Sequence, residues 1–357
     1  MPQPTIIALD AMGGDKAPDA VIDGAAAALI INPNIKFRIF GDEARVRPLI
    51  ARHANLANAI FHHTPDFIPG DMKPSAALRQ GRNSSMRLAI NAVADGQAQG
   101  IVSAGNTGAL MALARLVLGS LPGIDRPAIV STVPTMTGRS VMLDMGANLE
   151  CDADNLVQFA IMGTLYARAA LRIQTPRVGL LNIGSEEMKG HDELRAAAAI
   201  LRETPLHGKF IGYIEADQIP HGDVDVVVTD GFTGNITLKT IEGTAKLCSN
   251  FLKEALQSSL LAKLGALLAR GAFMQMKARM DPRAYNGAML VGLQGVCVKS
   301  HGGTDARGFT NSVLVAAQLI EEGLNERIKD EFAKLYGALP NSGANAAPKA
   351  IEGEILP

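Results

Sequence analysis

Three features of the sequence predict an α/β fold, an α/β/α sandwich built on a largely parallel sheet. Short apolar runs alternate with longer segments of helical period, the connections are long enough for crossover helices, and turns rich in glycine follow the apolar runs. Thr5–Leu9 reads as a buried strand, and Pro18–Ile31 as a helix with a proline at its start and Val21, Ile22, Ala25 and Leu29 on one face. Strands follow at Phe37–Phe40 and Ala59–His62, separated by a helix around Glu43–Arg52. Ser84–Ala94 is helical, Gly100–Ser103 a strand and Thr107–Leu118 a helix. Ile129–Val133 and Ser140–Leu143 are strand-like, and acidic residues open a helix at Asp154–Ala170. The theme repeats through Val178–Asn182, Asp192–Glu203, Asp225–Thr229 and Phe232–Leu256. Met289–Val298 reads as one strand run and Asp305–Ile328 as the closing helix. This organisation predicts one catalytic unit over 1–337, with a helical basic excursion at about 249–284, and a flexible tail over 338–357.

Composition narrows the function. Of 357 residues, 47% are hydrophobic and 19% charged, which supplies a substantial core and excludes a wholly disordered chain. Thirty-four basic against 35 acidic residues give a net charge of −1, which does not fit a nucleic-acid coat, and the absence of Trp argues against base-stacking platforms. Cys151, Cys248 and Cys297 are far apart, so neither a zinc site nor a disulfide framework is expected. Met1–Asp15 lacks a basic leader pattern, and no apolar run reaches the ~18 residues of a membrane span. A cytoplasmic protein without metal or cofactor is the expectation.

Glycine makes up 36 residues, and ten of them fall in five turns that follow predicted strands: Asp10–Asp15, Ser103–Gly108, Gly184–Gly190, Thr229–Asn235 and Ser300–Thr304. Ligands of open α/β sheets bind beyond the carboxyl ends of strands, and glycine lets backbone N–H groups approach an anion. Any one turn is more simply a tight turn; five in succession, each with Ser, Thr, Asn, His or Lys, predict a site for phosphate or a developing oxyanion. Neither GxGxxG at the first helix nor a GxxxxGK[ST] loop is present, so dinucleotide and ATP sites lack their usual support.

The segments ALDAMGGD (8–15), SSM (84–86), VSAGNTGALMA (102–112), DRPAI (125–129), LDMGAN (143–148), VGLLNIGSEEMKG (178–190), DVVVTDGFTGN (225–235) and SHGGTDARGF (300–309) occur in this order. Together they resemble the acyl-acyl-carrier-protein:phosphate acyltransferase family, of PlsX type, from about Thr5 to Ile328. The resemblance implies formation of acyl phosphate from acyl-acyl-carrier protein and inorganic phosphate, for phosphatidic acid synthesis. It also implies a fold like the isocitrate/isopropylmalate dehydrogenase and phosphotransacetylase group, usually a homodimer. A downstream glycerol-phosphate acyltransferase would take the product.

Such a reaction needs little acid–base help, because phosphate is already anionic at neutral pH and the leaving thiol has a pKa of about 8.5. It needs an anion held beside a thioester and a stabilised oxyanion. Lys189 is the first candidate, to bind phosphate or stabilise the departing thiolate; on its residues alone it reads as an exposed lysine paired with Glu186 or Glu187. Asn235 is a candidate donor to the thioester oxygen or a helix cap, and His301 a proton donor or phosphate-orienting group. Asp10, Gly13, Gly14, Ser103, Asn106, Thr107, Gly184, Asp230, Gly231, Thr233 and Gly234 form the candidate phosphate and substrate set. Within it Asp10 and Asp230 read as loop anchors that could orient Lys189, and Ser103, Asn106 and Thr107 as a phosphate nest or caps. Cys151 has no adjacent His or Lys to activate it and reads as buried.

Residues 255–280 are Leu- and Met-rich and carry a charge of +4. Leu256, Leu260, Leu264, Leu267 and Leu268 form a stripe flanked by Lys263 and Arg270, with Phe273, Met274, Met276 and Lys277 after a break at Gly271. Packing, including a dimer interface, is the ordinary use of such a stripe; an anionic membrane surface or an acidic carrier protein is the alternative. Two other functions compete: a decarboxylating dehydrogenase, for which paired metal-binding carboxylates are scarce, and a lipid-surface scaffold without catalysis.

Overall fold

A computed structural model describes residues 4–279 and 281–338. The predicted tail over 338–357 therefore lies, beyond Ala338, outside the described residues. The first part of the chain folds as β1 (Thr5–Asp10), α1 (Asp19–Ile31), β2 (Ile35–Gly41), α2 (Glu43–Ile50), β3 (Ile60–His63), α3 (Pro74–Gln80), α4 (Ser85–Ala94), β4 (Gly100–Ser103) and α5 (Thr107–Leu118). The middle contributes β5 (Ala128–Pro134), β6 (Arg139–Leu143), α6 (Ala153–Leu171), β7 (Arg177–Leu181), α7 (Asp192–Glu203), β8 (Lys209–Ile214) and β9 (Val226–Val228). Helices α8 (Gly231–Gln257), α9 (Leu260–Leu268) and α10 (Arg270–Arg279) follow, then β10 (Ala288–Val291), β11 (Val296–Lys299), α11 (Ala306–Glu321) and α12 (Leu324–Ala338).

All eleven strands form one sheet in the order β3-β2-β1-β4-β11-β10-β5-β6-β9-β7-β8. Pairing is parallel on either side, from β3 to β11 and from β6 to β8. At the centre β11–β10, β10–β5 and β5–β6 are antiparallel. Three reversals in succession leave the two parallel halves running in opposite directions, so their carboxyl ends face opposite edges of the sheet.

Alternation along each strand sorts side chains to two apolar layers. Ile7, Leu9 and Val102 join one, with α1, α6, α11 and α12. Ala8 and Ile101 join the other, with α4 and α5. With both faces covered, Gly100–Ser103 is buried throughout, which is why the strands read as unbroken apolar runs.

The expected sandwich and largely parallel sheet are present, with four differences of detail. Met289–Val298 is two antiparallel strands, because Gly292 and Gly295 take positive φ of 95° and 159° and turn the chain. Asp305–Ile328 is likewise α11 and α12, split where Gly323 has φ 61°. The edge strand β8 and the short helix α3 were not expected, since Gly212 interrupts the one and Pro74 and Gly81 bracket the other. In the excursion the chain breaks at Ser258–Ser259 and at Ala269, with the Ser259 side chain capping α9, and Gly271 lies inside α10.

Glycine is sterically required at Gly234 in α8, where a Cβ would stand 1.8 Å from the Asp144 carbonyl oxygen. Gly234→Ala is expected to lower unfolding stability by about 2–3 kcal/mol, through displaced backbone, in urea denaturation followed by circular dichroism.

Candidate functional site

At one edge of the sheet, β1, β4 and β11 end side by side. Asp10 closes β1 and is buried; its Oδ1 accepts from the Ser85 hydroxyl at 2.6 Å and the Met12 amide at 3.3 Å, and its Oδ2 accepts from the Ser103 hydroxyl at 2.7 Å. Burial pushes Asp10 above the usual carboxylate range, opposed by the donors Ser85, Ser103 and Met12 and by the charge of Lys299. Asp10 thus ties β1, α4 and β4 together, as an anchor. The Ser103 hydroxyl in turn accepts from the Gly105 amide at 3.0 Å.

The glycines let these turns nest. A Cβ on Gly13 would lie 2.7 Å from the Gly105 nitrogen, and one on Gly14 would lie 3.1 Å from the Gly302 carbonyl oxygen. The Asp15 amide donates to that carbonyl at 2.9 Å, fastening the first turn to the Ser300–Thr304 turn. Between them opens a cavity of about 400 Å³. Its lining combines glycine-rich backbone and the start of α5 (Gly14, Gly105, Asn106, Thr107, Gly108, Gly302), the charged Asp15 and Lys299, and the apolar Met12, Phe67, Ile68 and Pro69.

Asn106 is not a free phosphate ligand: its Oδ1 caps α5 by accepting from the Ala109 amide at 2.9 Å, and its amide donates to the carbonyls of Gly70 at 2.8 Å and Met72 at 3.0 Å. This is the capping role, with the Pro69–Met72 segment pinned beside the cavity as well. Thr107 and Gly108, the first residues of α5, have amides with no acceptor inside the helix, and these border the cavity. His301 stands exposed beside Gly302; its Nδ1 accepts from the Gly303 amide at 3.1 Å, so the neutral ring carries its proton on Nε2. Asn286 holds this turn: its Oδ1 accepts from the His301 amide at 2.9 Å, and its Nδ2 donates to the Ser300 hydroxyl at 2.8 Å.

The remaining candidates lie at the opposite edge, beyond β6, β7 and β9. Asp144, at the end of β6, accepts from the amides of Ile129, Gly146, Ala147 and Asn148 and from the Asn148 side chain, at 2.7–3.2 Å. Asp230 caps α8 through the amide and hydroxyl of Thr233, both at 2.8 Å, so Thr233 and Asp230 satisfy each other. Gly231 and Gly234 pack on the Asp144–Asn148 turn, and Asn235 is exposed beside Gly146. Lys189 is exposed, its stem lying over Gly184, and Asn182 donates to its carbonyl at 3.2 Å. Glu187 pairs with Arg202, and among the described residues Lys189 forms an ion pair with neither Glu186 nor Glu187, so the expected pairing is absent.

The expectation of one rim holding five loops is therefore corrected. Asp10, Gly13, Gly14, Ser103, Asn106, Thr107 and His301 gather at one edge. Gly184, Lys189, Asp230, Gly231, Thr233, Gly234 and Asn235 gather at the other, because the strands carrying them run the opposite way. Among the described residues neither Asp10 nor Asp230 makes a hydrogen bond or ion pair with Lys189. Cys151 is half-buried, and burial together with Asp144 and Asp230 pushes its thiol up to about 12, so it stays protonated.

Sequence reasoning passed over Lys299, Asn286, Ser85 and Asp144. Ser85 and Asp144 lie in segments that were recognised but given no role, and Lys299 was legible as a lone cation ending a buried apolar strand. In the excursion, Lys263, Leu264, Leu268 and Arg270 are exposed, as are Leu260, Leu261 and Leu267, while Phe273 is half-covered; the Lys277 side chain lies outside what is described. Among the described residues no group of three metal-ligating side chains occurs, and no helix is long and apolar enough to cross a membrane.

A cavity at the glycine-rich ends of parallel strands, lined by the first amides of α5, a lysine and apolar side chains, places the chain among open α/β folds that keep their ligand site beyond the strand ends. Comparison with known proteins agrees. Residues 5–327 match the family described as "Fatty acid synthesis protein". The chain is 60% identical over 351 residues to the phosphate acyltransferase of Rhodospirillum centenum, covering 98% of each, and 56% identical over 338 residues to that of Rhodospirillum rubrum, covering 94% of this chain and 97% of that one. The fold is also that of phosphotransacetylases from Staphylococcus aureus (TM-score 0.58, 18% identity, 88% of this chain and 94% of that one) and Streptococcus pyogenes (TM-score 0.59, 17% identity, 90% and 95%). The chain belongs to the phosphate acyltransferase family. It is a transferase, performing acyl transfer that involves phosphate in fatty acid and phospholipid synthesis.

Because Cys151 is held as the thiol, Cys151→Ser is expected to keep most of the activity. Mass spectrometry of enzyme quenched during turnover is expected to find no acyl group on Cys151.

Proposed function

We propose that the enzyme converts acyl-acyl-carrier protein and inorganic phosphate to acyl phosphate and free carrier protein, by direct attack of phosphate on the thioester. A phosphate oxygen forms a bond to the acyl carbon, the carbon–sulfur bond breaks, and the thiolate leaves and takes a proton from solvent, while the Nε2–H of His301 orients phosphate by hydrogen bonding. The observation that carries this reading is the mixed lining of the cavity, which holds the first amides of α5, glycine backbone and Lys299 together with Met12, Phe67, Ile68 and Pro69. The polar groups suit a phosphate dianion and the oxyanion, and the apolar side chains suit the acyl chain next to the thioester. One well-placed oxyanion donor is worth about 3 kcal/mol. The high pKa of Cys151 supports attack without a covalent enzyme intermediate.

The functional unit in this reading is a homodimer. Lys189 and Asn235 lie at the edge of the sheet away from the cavity, so they serve the reaction by meeting the cavity of a second protomer. There Lys189 steadies phosphate or the thiolate, and Asn235 donates to the thioester oxygen. Exposed Leu247 and Phe251 on α8 give that helix an apolar face for the second copy. The tip formed by α9 and α10, with Lys263 and Arg270 around bare leucines, rests on anionic lipid at the inner face of the membrane or receives the acidic carrier protein. A cytoplasmic enzyme held peripherally in this way delivers acyl phosphate to a membrane-bound glycerol-phosphate acyltransferase.

Phosphate-dependent appearance of carrier thiol from acyl-acyl-carrier protein tests the reaction; no thiol from the wild type overturns it. Lys189→Ala is expected to lower turnover by about 10²-fold, the scale of one lost transition-state contact. Mixing Lys189→Ala protein with a cavity variant such as Gly14→Val is expected to restore activity through mixed dimers, and failure to do so removes the two-protomer site. In flotation with phosphatidylglycerol vesicles, Leu268→Glu is expected to reduce the bound fraction severalfold, and equal flotation removes the membrane contact.

A further inference from the structure

Lys299 ends β11, whose other residues, Val296, Cys297 and Val298, are fully covered. In register it lies beside Ser103 of β4, so the pairing that builds the sheet carries its ammonium to the floor of the cavity. An ammonium has three donors. Two are engaged by backbone carbonyls, those of Ala104 at 3.3 Å and of Ser300. Among the described residues no carboxylate lies within ion-pair distance of it. Both oxygens of Asp10 are taken by Ser85, Ser103 and Met12, and the exposed Asp15, which also lines the cavity, makes no ion pair with it. A cation largely removed from water, with nearby carboxylates but none in direct contact, favours the arrival of an anion that can touch it. Of the described residues lining the cavity it is the only cation, and the open amides of Thr107 and Gly108 border the same cavity.

We propose that Lys299 is the cationic anchor of the phosphate nucleophile, supplying its third N–H donor to a phosphate oxygen while the α5 amides take the others. This deepens the acyl-transfer reading and rests on it for the kinetic part of the test. Placed so, phosphate neutralises the buried charge when it enters, and the ammonium withdraws nothing from catalysis, since phosphate attacks through an oxygen the ammonium does not hold. The sign of the pH dependence follows. Burial pulls the Lys299 ammonium down to about 8, with Asp10 and Asp15, the charges facing it from β1 and the following turn, pushing the other way. The cation is complete below that value and is lost above it, while phosphate only gains charge. Phosphate binding therefore weakens from about pH 7.5 to 9.5, against the trend expected of a more highly charged anion at a fixed cation.

The test measures binding of inorganic phosphate alone to the full chain, by ³¹P NMR titration, for wild type, Lys299→Met and Lys299→Arg, with circular dichroism to verify folding. Loss of the charge in Lys299→Met is expected to weaken phosphate binding by at least about tenfold, the scale of one charge-assisted hydrogen bond. In turnover it raises the KM for phosphate correspondingly and leaves the KM for the acyl donor within about threefold, the ordinary spread for such effects. Lys299→Arg keeps binding and abolishes its alkaline loss. Unchanged phosphate affinity in folded Lys299→Met overturns the proposal, as does a KM increase confined to the acyl donor. The wild-type profile decides independently of any variant: affinity flat or rising across roughly pH 7.5–9.5, the window around the ammonium's pKa, overturns it. If Lys299 governs phosphate binding but the wild type releases no carrier thiol, the acyl-transfer reading falls and the phosphate anchor stands; thiol release with unchanged phosphate affinity in Lys299→Met gives the reverse.

Discussion

Two hydrogen-bonded strands, β5 and β10, stand antiparallel to their neighbours at the centre of the sheet, and the placement of every functional loop depends on them. Had they paired in parallel, all five glycine-rich turns would have converged on one edge, as in an ordinary open α/β sheet. The reversal distributes them instead. β1, β4 and β11 deliver a cavity to one side, and β6, β7 and β9 deliver Lys189 and Asn235 to the other. The Gly292–Gly295 turn that folds β10 back on β11 is short, and its positive φ angles are what make the reversal sterically possible.

Each half solves the same physical problem in the same way. A strand ends in Leu-Asp, the carboxylate is buried, and its cost is offset by converging donors. Asp10 collects two hydroxyls and an amide; Asp144 collects four amides and a side-chain amide. In both, burial raises the carboxyl pKa and the donors oppose it. A group whose folded pKa is raised favours the folded state at lower pH and disfavours it as pH rises through the shifted value, so neither carboxylate makes the protein more stable in alkali. Their contribution is geometric: they fix where glycine amides point.

Much of this was legible in the sequence. Gly100–Ser103 and Thr107–Leu118 fall where apolar pattern and turn chemistry put them, because a strand buried on both faces and an amphipathic helix leave opposite signatures. Asn106 has the composition of an N-cap and is one. What could not be read was direction. Apolar period says that Met289–Val298 is extended, but not that it doubles back, and a strand's orientation within a sheet is set by partners far away in sequence. For the same reason Lys299 reads from sequence only as a lone cation ending a buried apolar strand: its meaning comes from Ala104, Ser300 and the cavity, none of which its immediate neighbours in β11 announce. Lys189, by contrast, stands in a conspicuous motif, GSEEMKG, and lies at the edge of the sheet away from the cavity.

Helix α8 begins at the Asp230 cap, in the same turn that carries Asn235, and runs 27 residues to the leucine-rich tip. At a rise of 1.5 Å per residue that is a rod about 40 Å long. Its first turn is locked to the sheet by Gly231 and Gly234 on the Asp144–Asn148 turn, and farther along it packs on α9. The chain comes back through α10, whose last carbonyl accepts from the Tyr285 hydroxyl. The length of the rod therefore sets how far the leucine-rich tip stands from the sheet edge at its root, and tip and edge keep a fixed orientation to each other.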